Sequence, residues 1–186
     1  RSPSRGLGDV YKRQSQEYAG QEIGTLAVAT THTQARYMLP KVVQVFRKEF
    51  PKVRIALQQS TPEHIAEWVL SGKADIGIAT EGLSQFEDLV SFPCYRWHHS
   101  VVVPDGHPLL EKKLITLEDL AQYSLITYDL GFTGRGHIDD AFKKADITTD
   151  IVLTAMDSDV IQQYVLLDLG VGIVASMALK PVSYTH

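Results

Sequence analysis

A single cysteine, Cys94, stands among 186 residues, so the chain forms no internal disulfide and suits a reducing compartment, the cytoplasm. No apolar run approaches the roughly 18 residues that a membrane-spanning helix needs. No signal-peptide pattern precedes the first strand candidate. Positive charge is scarce too: 18 Lys and Arg against 22 Asp and Glu leave a net charge of -4. That balance excludes a strongly basic nucleic-acid surface within this stretch, so any DNA contact has to come from another part of the protein.

Catalytic signatures are also missing. Ser100 and Ser176 sit in no nucleophile elbow, and no Ser/His/acid set stands out. Cys94, His98 and His99 match no closed zinc spacing, and the two histidines point to opposite faces if they lie on a strand. The chain reads as a non-enzyme with neither cofactor nor metal.

What is present is an ordinary globular composition, 44% hydrophobic and 22% charged, enough to bury one large core or two small ones. Residues 1–14 carry neither helical nor strand periodicity. With residues 183–186 they read as adaptor or vector sequence, the alternative being a native tail. Between these ends, Leu26 and Val28 alternate with smaller residues as a first strand. Leu39, Val42, Val43, Phe46 and Phe50 then recur at helical spacing. Pro40 requires either a short turn over 33–39 or a main helix that starts at the proline. Val53, Ile55 and Leu57 alternate as a second strand. Ser60-Thr61-Pro62-Glu63 is a helix start, with hydroxyl cap, early proline and first-turn acid. The run 74–80 is a third strand, closing on Thr80. This β-α-β-α-β order implies a parallel, doubly wound sheet.

The second half repeats the theme, with strands expected at 89–94, 99–103, 125–128, 151–154 and 171–175 and helices at 116–122, 136–144 and 158–169. The halves divide near 93–97. Two α/β lobes joined by extended chain leave a cleft between them, a usual place for ligands.

In open α/β sheets ligands sit beyond the carboxyl ends of the strands. Three such ends carry hydroxyls here: Thr30-Thr31 with Thr33 and Gln34, then Thr80, then Thr133 within Gly131-Phe132-Thr133-Gly134-Arg135-Gly136. Each threonine alone could merely cap a helix. Their recurrence at strand ends of both halves favours a ligand, because hydroxyls, an amide and first-turn N–H groups together hold an oxyanion without any catalytic group. The glycine-rich loop matches neither the dinucleotide nor the Walker spacing, and serves equally as an anion cradle or a plain turn. Arg135 offers a counter-charge or a solvated cation. Asp157-Ser158-Asp159 caps the last helix or lines the cleft through its backbone amides.

These residues also resemble a known family. Ala29-Thr30-Thr31-His32-Thr33-Gln34-Ala35-Arg36-Tyr37, Gly77-Ile78-Ala79-Thr80-Glu81, Tyr95-Arg96-Trp97-His98-His99-Ser100, Gly131-Phe132-Thr133-Gly134-Arg135 and Asp157-Ser158-Asp159-Val160-Ile161 look like the effector-binding domain of LysR-type transcriptional regulators. Within it they are similar to the CysB/Cbl-like branch, which controls sulfur assimilation and cysteine biosynthesis. The resemblance runs from about Ser15 to Val182. It implies an α/β fold of two Rossmann-like lobes of periplasmic-binding-protein type (type 2), with the C-terminal part truncated. Residues 15–22 would end a linker helix, 23–95 form a first lobe lacking its return segment, and 96–182 form a second, also incomplete lobe.

The family's sulfate-binding positions map onto Thr31, Thr33, Gln34, Thr80 and Thr133, and a family aromatic beside the cleft maps onto Trp97. Arg135 and Ser158 complete the expected ligand-binding set. The implied effector is sulfate, thiosulfate, adenylyl sulfate, O-acetylserine or N-acetylserine. The resemblance further implies a homodimer or homotetramer paired through the first helix and second strand. It implies DNA binding only through an N-terminal helix-turn-helix absent from this chain, and no membrane. A solute-binding subunit of an oxyanion transporter is the alternative, since it would share fold and ligand chemistry.

Overall fold

The computed structural model describes residues 23–80, 83, 86–132 and 134–179. The expectations for 1–14, 15–22 and 183–186 and for Thr133 therefore lie outside the described residues. The first sheet has three strands, β1 (Gly24–Thr30), β2 (Val53–Gln59) and β3 (Ile76–Ile78), in the order β2-β1-β3. All its pairings are parallel, with Val28 opposite both Leu57 and Ile76. Because the chain leaves β1 toward β2 and returns past it to β3, the order reverses at β1. The crevice outside the carboxyl ends of β1 and β3 is thus the switch point where such sheets take ligands.

Helix α1 (Leu39–Glu49) does not start at a simple turn. It continues without a break from a π turn over Gln34–Met38, in which Leu39 N–H donates to the Gln34 carbonyl. Pro40 then falls in the first turn, where its missing N–H is harmless. Both expected readings of this region are therefore partly realised: a separate turn and a helix with an early proline. Helix α2 (Pro62–Leu70) starts as its sequence signals, with Thr61 Oγ1 accepting from His64 N–H.

The second sheet contains β4 (His99–Val102), β5 (Ser124–Tyr128), β6 (Asp150–Ala155) and β7 (Val171–Ala175), ordered β4-β7-β5-β6. Only β4 runs antiparallel to its neighbour. Helices α3 (Leu117–Leu120), α4 (Arg135–Lys144) and α5 (Ser158–Leu166) connect these strands. The main core lies here, built on Leu125, Ile126, Tyr128, Phe142, Ile161, Val165 and Val174. Among the described residues, the first lobe's buried cluster is Ala29, Ile65 and Ala74, with Trp68, Val69 and Ala79 against it.

The strand expected at 89–94 is not formed. Residues 89–98 make an extended connector without sheet pairing, and Val90 and Phe92 are 81% and 78% exposed. Alternation alone cannot make a strand when no neighbour accepts its hydrogen bonds. A cavity of about 600 Å³ lies between this connector, α2 and the edge of β3, lined by the apolar Ile65, Val69 and Phe92 and by the polar Gln34, Thr80 and Tyr95.

Candidate functional site

Strand β1 becomes progressively buried toward its end, and the chain then turns into the helical stretch beginning at His32. Thr30, Thr31, Thr33 and Gln34 are each 1% exposed or less. Their backbone carbonyls include satisfied ones: Thr30 O accepts from Ser60 N–H at 3.1 Å and Thr31 O from Ala35 N–H at 3.0 Å. Several side chains are not. Thr30 Oγ1, Thr31 Oγ1, Gln34 Nε2 and Thr80 Oγ1 are buried with no hydrogen-bond partner among the described residues.

An unsatisfied buried polar atom costs about 1–3 kcal/mol. Four of them at the ends of two adjacent strands form a concentrated defect that calls for an explanation. The three hydroxyls can donate, and the amide nitrogen can only donate. First-turn N–H groups of the following helix have no intrahelical acceptor and carry the positive end of its dipole. Such a set of donors suits an acceptor-rich, negatively charged group and needs no charged side chain.

Gln34 is held from its other end. Tyr95, on the connector, donates its hydroxyl proton to Gln34 Oε1 and also lies 3.8 Å from Met177 Sδ. Burial pushes the Tyr95 phenol above its ordinary value, so it stays a protonated donor.

The remaining expected residues divide. Trp97 lines the same cavity as Gln34 and Thr80. Its ring meets His99 edge-on at 4.8 Å, and both rings abut Gly134, which has φ 74°. A Cβ at Gly134 would come within 3.0 Å of each ring, so Trp97 and His99 pack directly on Gly134. Arg135 is differently engaged: Nε bonds Asp139 Oδ1 at 2.8 Å and NH1 bonds the Tyr128 carbonyl at 2.5 Å, both within the second lobe. Ser158 is fully buried, with Oγ 2.5 Å from the Tyr128 hydroxyl. The structure gives these last two packing partners rather than a place among the partnerless donors.

Sequence reasoning did not single out the contacts that tie the lobes together. Tyr37 donates to Asp159 Oδ1 at 2.8 Å, and Arg36 Nε lies 2.8 Å from Asp159 Oδ2. His32, Asp157 and Asp159 place ligand atoms within 4.8 Å of one another. Asp159 is taken up by Arg36 and Tyr37, Asp157 Oδ1 accepts from Val160 N–H, and His32 Nδ1 bonds Gln59 Oε1 at 2.9 Å. The cluster is an interlobe clasp. Burial, and then the Asp159 acceptor, push the Tyr37 phenol up to about 12. A phenol raised above 10.0 adds stability that is complete below about pH 10 and lost as pH climbs toward about 12. Phenolate absorbance should show one tyrosine ionising near pH 12, moving down in Asp159→Asn.

The sequence matches the LysR substrate binding domain family over residues 19–185. The chain belongs to that family. This LysR-type domain is 55% identical over 170 residues to the HTH-type transcriptional regulator SsuR of Burkholderia cenocepacia, covering 91% of this chain and 55% of that protein. It is 53% identical over 170 residues to CysB of the same organism, covering 91% and 54%. Against the regulator cbl of Escherichia coli it is 55% identical over 155 residues, covering 83% and 49%.

The LysR-type chain thus spans about half the length of the curated relatives it matches. Among solved structures, the cofactor-binding domain of the Cbl transcriptional regulator superposes with a TM-score of 0.81 at 54% identity, covering 84% of this chain and 68% of that one. The effector binding domain of QuiR, in complex with shikimate, shares the fold at a TM-score of 0.76 and 23% identity. The fold is the two-lobed, periplasmic-binding-protein type 2 architecture of LysR effector domains. The named relatives are regulators, which leaves the transporter alternative without support. No helix among the described residues is long and apolar enough to cross a membrane.

Proposed function

We propose that this domain is the effector sensor of a cytoplasmic, LysR-type regulator of sulfur-assimilation and cysteine-biosynthesis genes. It takes a sulfate-like anion or an acetylserine-type ligand at Thr31, Thr33, Gln34, Thr80 and Thr133. The observation that carries this reading is the group of four buried, partnerless polar atoms at the ends of β1 and β3. Neutral donors suit a permanently ionised oxyanion because they need no titrating partner. DNA is contacted by a helix-turn-helix elsewhere in the protein, in keeping with the HTH-type names of the relatives. Ligand shifts the population of lobe arrangements, and the regulator's grip on DNA follows.

Sulfate titration by calorimetry tests the site. Thr31→Val and Thr80→Val should each weaken sulfate binding by about tenfold or more, since hydrogen bonds to charged groups are worth about 1.5–3 kcal/mol. The same changes should leave the ligand-free protein as stable or about 1 kcal/mol more so, because each removes a buried hydroxyl that has no partner. Unchanged sulfate affinity in both variants would count decisively against the reading.

Copies of the protein associate through α1 and β2. Val42 and Val45 are 51% and 56% exposed on α1, and Leu57 is exposed on β2, at the sheet's edge. Substituting Val42→Glu together with Val45→Glu should reduce the sedimenting mass to that of a smaller assembly. A mass unaffected by both charges would place the interface elsewhere.

A further inference from the structure

We propose that Tyr95 is a positioning residue that makes the anion site donor-only, by holding the Gln34 carboxamide with its oxygen turned away from the ligand. This inference rests on the anion-site reading above and adds to it a residue outside the expected ligand set.

The chemistry follows from the ambivalence of a carboxamide. Its two ends are nearly equal in shape and opposite in polarity, one accepting and one donating. A buried glutamine with neither end fixed offers an anion a carbonyl oxygen as readily as an N–H. Gln34 is 1% exposed, and its Nε2 is one of the partnerless atoms. Its Oε1 accepts the Tyr95 hydroxyl. That hydroxyl has one proton and two neighbours, the amide oxygen and the Met177 thioether, of which sulfur is the weak acceptor. The proton therefore belongs to Oε1, and Nε2 is the end left to face an acceptor.

The tyrosine's position gives the contact a second consequence. Tyr95 belongs to the extended connector between the two sheets, and Met177 belongs to the turn Ser176–Ala178 that follows β7. One phenol thus touches the glutamine of the first lobe, 61 positions away, and the turn that follows β7 in the second lobe, 82 positions away. Any rearrangement of the connector that withdraws the phenol also releases the carboxamide. The site's preference for acceptors is then a property of one lobe arrangement and not of the first lobe alone.

The test uses the chain as it stands, with inorganic sulfate as the probe and the variants Tyr95→Phe, Gln34→Ala and their combination. Tyr95→Phe keeps the ring and its packing while removing the proton that orients Gln34. It should weaken sulfate binding by about tenfold, and the double variant should bind no more weakly than Gln34→Ala alone, because the tyrosine acts through the glutamine.

A ligand-free readout accompanies it. The side-chain amide signals of Gln34 in a nitrogen–proton correlation spectrum, assigned by their loss in Gln34→Ala, should shift and broaden in Tyr95→Phe while core methyl signals of Val174 stay in place. Signals that do not move, or a double variant whose loss is the product of the two single losses, overturn the role of Tyr95. If the unaltered protein binds no sulfate, the anion-site reading falls. The amide signals still decide whether Tyr95 orients Gln34.

Discussion

Gln34→Glu is expected to abolish sulfate binding at neutral pH, a loss of about a hundredfold or more. The two side chains have nearly the same shape, so packing around this 1% exposed residue is preserved. What changes is the sign of the group facing the anion. A carboxylate cannot donate, and like charges brought together out of water cost several kcal/mol. The effect should also depend on pH in a direction that identifies its cause. Burial raises the pKa of a carboxyl group, so acidification returns the glutamate to a neutral form with one O–H donor. Sulfate affinity of the variant should therefore recover as pH falls, while the parent protein, whose donors do not titrate, changes little. Calorimetric titrations on both sides of neutrality read this directly. Neutral-pH binding within about tenfold of the parent would remove Gln34 from the site.

The second large effect concerns stability. Tyr128→Phe deletes a hydroxyl that stands within 2.5 Å of Ser158 Oγ and accepts from Ala175 N–H at 2.8 Å, on a fully buried ring. Removing it leaves both groups buried without this partner, at about 1–3 kcal/mol each. A loss of about 2–5 kcal/mol is expected in urea unfolding, enough to consume much of a small domain's stability. Ser158→Ala should cost less, because the phenol keeps its bond to Ala175. Sulfate affinity separates the two roles available to Ser158. If it is a packing residue, as its contacts indicate, Ser158→Ala lowers the unfolding midpoint and leaves sulfate binding as it was. Lost affinity with unchanged stability would return it to the ligand set.

Much of the architecture was legible because it is local. The alternation in β1 and β2, the Thr61-Pro62 start of α2 and the hydroxyls at strand ends are written in neighbouring residues. Thr31 and Thr80 were singled out for the same reason, since each lies just past the end of a strand, with Gln34 on the turn that follows β1. What was not legible depends on partners that the neighbouring residues do not announce. Residues 89–94 have a strand-like pattern, but a strand also needs a neighbouring ladder. Ser158 and Arg135 carry suitable donors, and their engagement by the Tyr128 hydroxyl and carbonyl, 30 and 7 positions away, was not readable from their surroundings. The clasp of Tyr37 on Asp159 spans 122 positions, and nothing near either residue announces the other.

The π turn at Gln34–Met38 places the Gln34 amide and the clasp on one turn of chain. A π turn holds one residue more than an α turn. Drawing that residue out would let the segment rewind without unfolding, and each residue of α-helix advances by about 100° around the axis. Gln34 and Tyr37 would swing together, one toward or away from the anion, the other off or onto Asp159. The segment is in this sense a small gear. If Gln34 holds an anion as proposed, the arrival of a few oxygen atoms would become a rotation that the opposite lobe feels through the Asp159 carboxylate.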